Sequence, residues 1–206
     1  MKFKIVSLFV LCAILISCGT SRQGGKKQRK GTKAQVVLTP EQQRKYDYFF
    51  LEASRLKMKD DYSAAFDLLQ HCLTINPNAS SALYEISQYY MYLKQVPQGQ
   101  AALEKAVEND PDNYWYSQGL ASLYQQQNEM QKATNLLESM ATRFSDRMDP
   151  LYSLLDIYNR LEEYDNVITT LNRLEEKMGK NEQLSMEKFR IYLQKKDNQS
   201  AFREIE

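Results

Sequence analysis

From residue 39 onward the apolar positions recur with helical spacing. Phe49, Ala53 and Leu56 fall at i, i+4 and i+7, one face of a helix, and Ala65, Leu69 and Cys72 mark a second face after a short polar break. The same two-face pattern then returns at a constant interval, in register each time. Ala65, Gly99, Ala133, Val167 and Ala201 form one column, and Leu69, Leu103, Leu137, Leu171 and Ile205 a second. Leu56, Tyr90, Tyr124, Tyr158 and Tyr192 form a third, and Ala53, Ser87, Ala121, Leu155 and Phe189 a fourth. Cys72, Ala106, Met140 and Leu174 form a shorter fifth, and Pro77 and Pro111 keep the same separation. The register holds across five units without insertion or deletion, which predicts an all-α array of stacked helix pairs.

The ends of the predicted helices carry matching chemistry. Thr39-Pro40-Glu41-Gln42 offers an N-cap, a proline in the first turn and a glutamine able to close a capping box. Asn76-Pro77-Asn78 and Asp110-Pro111-Asp112 end one pair and begin the next, because the residue before proline avoids helical geometry. Asp149-Pro150 is expected to cap the first helix of the fourth unit, and Pro97 falls in a first turn, where no donor is lost. Small side chains at the Ala53 and Ala65 columns let backbones approach closely. Leu155 and Phe189 break that rule, so helix contacts are expected to be wider there.

A 34-residue period with large, small, Tyr, Ala, Leu, Ala and Pro at set positions resembles the tetratricopeptide repeat. That resemblance implies a right-handed superhelical solenoid of antiparallel helix pairs over 39–206. Its repeats run 46–79, 80–113, 114–147, 148–181 and 182–206, the last incomplete. A fifth unit stopping in its second helix leads to the expectation that the sequence is a fragment of a longer protein; an alternative reading makes it the N-terminal part of a protein with a further effector domain. The resemblance also implies that the first helix of each pair lines a concave groove through positions 2, 5, 9, 12 and 13. The candidates are Phe50, Tyr84, Gln88 and Tyr92, then Trp115, Gln118, Ser122 and Gln125, then Tyr152, Asp156 and Asn159. Ser54, Met58, Met91, Gln126, Arg160, Met186 and Arg190 complete the face. Aromatic rings supply contact area at low entropy cost, and amides can pair with a peptide backbone. Phe50 and Ser54 stand where carboxylate-clamping members of the family carry Lys and Asn, which argues against binding of a chaperone tail.

Residues 1–38 follow a different pattern. Lys2 and Lys4 precede an apolar run from Ile5 to Ile16, too short to span a bilayer and typical of a secretory signal. Leu15-Ile16-Ser17-Cys18 resembles the bacterial lipobox, which implies a signal peptide over 1–17 and lipidation of Cys18. By the same resemblance, Gly19 in place of Asp implies an outer-membrane anchor, and the lack of an acidic surface-export signal after Cys18 implies that it faces the periplasm. Residues 18–38 then read as a flexible basic tether: four of the chain's seven glycines and six positive charges lie there. Twenty such residues span about 25 Å, at about 5–6 Å per √residue.

Charge and rare residues narrow the chemistry. The 27 basic residues nearly balance the 26 acidic ones, but eight of the basic ones precede residue 41, where there is no acid. The remainder carries 19 against 26, a net of −7, which argues against nucleic-acid binding. With Cys12 removed and Cys18 lipidated, Cys72 is left alone, so no disulfide is expected; His71 is the only histidine, and no metal or cofactor site is expected. His71 and Cys72 are neighbours on one helix and diverge by about 100°. Glu162-Glu163 and Glu175-Glu176 read as solvated ends. No catalytic residue and no small-molecule substrate are expected. The sequence therefore points to a membrane-anchored, non-catalytic scaffold of the bacterial envelope with a protein or peptide partner. A narrower form of that reading is a subunit of an outer-membrane assembly or secretion machine.

Overall fold

The structure, a computed structural model, describes residues 37–205. The expected signal peptide, the expected lipidation site Cys18 and the expected tether as far as residue 36 lie outside the described residues. Ten helices and no strand are present among those described. They are α1 (Pro40–Lys57), α2 (Tyr62–Ile75), α3 (Ser80–Tyr92), α4 (Val96–Asn109), α5 (Tyr114–Gln126), α6 (Met130–Arg143), α7 (Asp149–Arg160), α8 (Tyr164–Met178), α9 (Glu182–Gln194) and α10 (Asn198–Ile205). They form five antiparallel pairs stacked in chain order as a solenoid.

The turn within each pair is the same structure five times. Asp60, Lys94, Asn128, Glu162 and Lys196, each one repeat from the next, all have left-handed backbones with φ of 63°, 58°, 60°, 57° and 61°. The next amide in each case reaches back along the helix it follows: Asp61 to the Leu56 carbonyl, Gln95 to Tyr90, Glu129 to Tyr124, Glu163 to Tyr158 and Asp197 to Tyr192, at 2.8–3.0 Å. With the shorter bonds from Asp60 to Lys57 and from Asn128 to Gln125, this is the Schellman arrangement that satisfies the last carbonyls of a helix. None of the five positions is glycine, so each turn carries the Cβ crowding of an L-residue in left-handed geometry. Gly179 (φ 81°, ψ 160°) ends α8 in a different geometry, its amide donating to the Glu175 carbonyl.

Caps begin several of the helices. Thr39 and Gln42 form a reciprocal capping box at α1. Asp61, Asn113 and Asn181 accept backbone amides at the starts of α2, α5 and α9. Asp149 does not cap α7: the helix begins at Asp149 itself, with Met148 preceding it and no side-chain cap bond. The Asp149 carboxylate instead sits in the first turn, where it complements the helix dipole.

The sequence columns are the core. Ala65, Ala133, Ala201 and Val167 are fully buried, as are Leu137, Leu171, Met140 and Leu174. Burying one such Leu removes enough apolar surface to contribute about 1.5–3 kcal/mol. Leu155 and Phe189, oversized for their column, are only half-buried, because the space between helices there suits a small side chain. Leu38, expected in the tether, packs against the first pair. The buried residues fall into two clusters. One runs from Tyr46 to Tyr89, and the other from Leu103 to Ile191. α3 faces both: Ala82, Ile86 and Tyr89 belong to the first, while Tyr84 and Met91 pack on the second.

Polar ties join successive pairs and repeat with the same period. The Tyr124 hydroxyl donates to Glu104 at 2.9 Å, and Tyr158 donates to Glu138 at 3.2 Å. Asn109 donates to the Asn78 carbonyl at 3.1 Å, and Arg143, one repeat on, pairs with Asp112 at 3.3 Å.

Candidate binding groove

The first helices pack side by side. Tyr46 shares a 2.9 Å hydrogen bond with Ser81 across α1 and α3. The Lys57 ammonium pairs with Glu85 at 2.7 Å across the same two helices. Tyr84 of α3 stacks on Tyr116 of α5, centroids 4.7 Å apart. One face of the solenoid is therefore built by α1, α3 and α5, and the repeat pattern continues it through α7 and α9.

The structure sorts the sequence candidates on that face. Gln88 and Tyr92 are exposed, Tyr92 at 82%, and both line a cleft of about 440 Å³ with Lys57, Tyr62 and Tyr89. An adjoining depression is lined by Ser54, Lys57, Met58, Tyr62 and Glu85. Positions 9 and 13 of two consecutive repeats are thus brought together: Ser54 and Met58 from the first, Gln88 and Tyr92 from the second. Phe50 is half-buried and stacks on Tyr46 at 5.9 Å. Tyr84 is engaged between repeats by its stack on Tyr116, and Gln118 accepts the Tyr114 hydroxyl at 3.1 Å. Ser122 and Gln125 are half-buried.

Trp115 is 62% exposed, at the opposite end of its helix from the Gln88–Tyr92 segment of α3. It meets Tyr114 edge-on at 5.2 Å, and the Arg147 guanidinium lies 4.1 Å over the Tyr114 ring and 5.6 Å over Trp115. Tyr152 is exposed and its hydroxyl meets the Met178 sulfur at 3.4 Å. Asp156 and Asn159 are exposed on α7, Asp156 within 3.9 Å of Arg160. These residues share the face but not the cleft.

Charge in the cleft is locally balanced. Glu85 accepts from Lys57 and holds its ammonium above the ordinary lysine range. Burial pushes the Tyr89 phenol up, and the bond from Tyr62 to Asp60 at 2.8 Å does the same for Tyr62. Both hydroxyls are therefore neutral at physiological pH.

Tyr62, Tyr89, Lys57 and Glu85 were outside the eleven groove residues singled out from the sequence. Lys57 sits at position 12 and could have been included. Tyr89 points toward the neighbouring pair, and Tyr62 opens a second helix, so neither falls in a groove column. Arg147 lies in a loop with no periodic signal at all.

Cys72 lies in the core, as its column predicts, whereas Glu175 is not the solvated end that its position suggests. Cys72 is fully buried, its Sγ 3.8 Å from the Tyr46 carbonyl, and burial pushes the thiol up to about 11. His71 is exposed against Phe49, so the two adjacent side chains do not form a pair. Glu175 is not a solvated helix end: it bonds the Lys188 ammonium at 2.9 Å, and Glu204 reaches the same ammonium at 2.8 Å. Lys188 is only 4% exposed and occupies the position held by Ile86, Leu120 and Leu154 in earlier repeats.

This geometry is a solenoid of stacked antiparallel helix pairs. The tetratricopeptide repeat family model matches residues 80–113, the pair α3–α4 and its flanking turn. No curated protein matches the sequence. Among solved structures, a crystal structure of MamA protein is 18% identical, covers 79% of this chain and 89% of its own, and superposes with a TM-score of 0.59. MamA 41-end from Desulfovibrio magneticus RS-1 is 14% identical over 78% of this chain and 91% of its own, TM-score 0.55. A tetratricopeptide repeat protein from Parabacteroides merdae ATCC 43184 is 15% identical over 78% of this chain and 64% of its own, TM-score 0.60. At such identities the likeness concerns the fold.

Proposed function

We propose that this protein is a non-catalytic interaction scaffold, lipid-anchored in the bacterial cell envelope, that binds a peptide segment of a partner protein along the face of its first helices. One observation carries the binding part: side chains at equivalent positions of two consecutive repeats line an open, mostly aromatic cleft and a depression adjoining it, joined through Lys57 and Tyr62, with balanced charge. Aromatic side chains over a concave surface are the usual anchors of such recognition. The non-catalytic part is supported by the separation of His71 from Cys72, the one thiol–imidazole combination in the mature sequence. The anchor rests on the basic start, the apolar run and Leu15-Ile16-Ser17-Cys18, with Gly19 favouring the outer membrane and the periplasmic side. Two or more acyl chains would hold the protein stably.

Two experiments test the two parts. Labelled palmitate fed to cells should enter the protein, and Cys18→Ser should abolish the label and release the protein from the outer-membrane fraction. Retention of label in Cys18→Ser would overturn the anchor. A photo-crosslinking residue at Tyr92, the most exposed ring of the cleft, should capture one dominant envelope protein, and Gln88→Ala should reduce that capture. Capture equal to that from an exposed position on α6 would overturn the groove.

A further inference from the structure

The cleft between the first two repeats has an unusual balance of hydrogen-bonding groups. Its charged pair, Lys57 and Glu85, is internally satisfied at 2.7 Å. The Tyr62 hydroxyl is committed to Asp60 at 2.8 Å, and the Ser54 hydroxyl to the Phe50 carbonyl at 3.0 Å. Two donors remain. Gln88 uses its amide once, toward Ser87 at 3.2 Å, and retains a second N–H. The Tyr89 hydroxyl has no partner among the described residues, although the residue is only 8% exposed. A buried, unpartnered hydroxyl is a standing cost to the folded chain and calls for an explanation. The walls around these donors are flat and apolar: Tyr62 lies edge-on to Tyr89 at 6.4 Å, and the exposed Tyr92 ring closes the side.

We propose that this cleft takes a proline-containing segment in polyproline II conformation, with Tyr89 and Gln88 donating to its backbone carbonyls. The inference rests on the groove reading above and specifies its ligand. A polyproline II helix has no internal hydrogen bonds, so all its carbonyls are free, and its prolines bring no N–H. It is thus an acceptor with flat apolar faces, the complement of donors set among tyrosine rings. A helical ligand satisfies its own carbonyls and offers nothing to Tyr89. A cationic side chain among the rings would sit beside the Lys57 ammonium. The hydroxyl itself has no open surface, so a side-chain rotation at the cleft wall accompanies binding, a change of the kind common in complexes.

The probe is a synthetic oligoproline of about ten residues, titrated by calorimetry into the full-length protein, against a Gly/Ser peptide of equal length. The oligoproline should bind at least about tenfold more tightly than the control. Tyr89→Phe should weaken it about five- to tenfold, and Tyr92→Ala should remove most of the binding. In the free protein Tyr89→Phe should leave the melting temperature unchanged or raise it, since it deletes an unpartnered polar atom. A lowered melting temperature would show that the hydroxyl is satisfied in the folded chain and would overturn the proposal, as would oligoproline binding indifferent to both substitutions. If oligoproline fails but peptides selected from a random library bind and are lost in Tyr92→Ala, the ligand class is wrong and the groove reading stands. If neither binds, both fall.

Discussion

The Tyr124 hydroxyl donates to the Glu104 carboxylate across the boundary between the second and third helix pairs, and the same bond recurs one repeat later between Tyr158 and Glu138. The two glutamates differ in their other partners. Glu104 also accepts from Gln100 at 2.9 Å, whereas Glu138 pairs with Arg173 at 2.8 Å. Removing the hydroxyl deletes a charge-assisted bond and leaves a carboxylate that is still partnered. Tyr124→Phe and Tyr158→Phe should each destabilise by about 1–2 kcal/mol in denaturant melts. The Tyr124→Phe/Glu104→Gln double variant should lose less than the sum of the single changes.

The five left-handed turn residues offer the opposite experiment. Glu162 is exposed and makes its turn at φ 57° with a Cβ in the crowded region. Glu162→Gly should relieve that crowding and raise stability by about 0.5–1 kcal/mol, while a β-branched residue at the same place should lower it by more than about 1 kcal/mol. Thermal melts of Glu162→Gly and Glu162→Val check the pair of signs.

Two glycines inside helices should respond differently to alanine. A Cβ on Gly119 would meet the Tyr84 ring at 3.6 Å and Leu103 at 3.8 Å, ordinary contact distances. Gly119→Ala should therefore gain about 1 kcal/mol of helix propensity. On Gly99 a Cβ would lie 2.6 Å from the Met91 sulfur and 3.2 Å from the Ser87 carbonyl. The thioether can turn aside, but the carbonyl belongs to a packed helix, so Gly99→Ala should cost about 1–2 kcal/mol net. Equal effects of the two changes would contradict this packing.

Lys188 stands in a column of Ile and Leu and is held there by Glu175 and Glu204. Lys188→Leu restores the column residue but strands two half-buried carboxylates, and should destabilise by about 2–4 kcal/mol. Adding Glu175→Gln and Glu204→Gln should recover most of that loss, as read from urea midpoints.

Alkaline pH should weaken the fold. The Cys72 thiol is raised from about 9 when free to about 11 in the folded protein, and burial with the Glu138 contact raises the Tyr158 phenol to about 12. The unfolded chain therefore loses these protons first. Stability is fully present below pH 9, falls as pH rises through the window from 9 to 12, and is lost to that extent above it. Cys72→Ala should flatten the part of the melting-temperature profile between pH 9 and 11. The buried thiol should also react slowly with disulfide reagents at about pH 8 unless the protein is unfolded.

Most of the fold was legible in the sequence because the period has a physical cause. Each repeat must bury the same two faces against its neighbours, so Leu69, Leu103, Leu137 and Leu171 recur by necessity. The site was legible only in part. Periodicity fixed which face Gln88 and Tyr92 occupy, but not that Tyr84 would be taken up by Tyr116, nor Gln118 by Tyr114. Those pairings depend on side-chain length and on the distance between helices. Tyr89 and Tyr62 came to light only through packing, because a core column and a cleft wall carry the same kind of residue. Lys188 broke its column visibly, yet its partners Glu175 and Glu204 come from flanking helices and have no fixed spacing to it. The shared left-handed turns left no sequence mark, since Asp, Lys, Asn, Glu and Lys occupy them.

The division of the apolar core within α3 has a mechanical consequence. A force applied between the two ends of the array would be borne unequally, because the buried residues of the first cluster come from α1 to α3 and those of the second from α4 to α9. The chain would yield in two steps, the smaller block parting first along the Tyr84–Tyr116 stack while the larger block holds. Single-molecule extension would record this as two ruptures of unequal contour length, the shorter one first, so that the protein behaves under load as a spring with a built-in fuse.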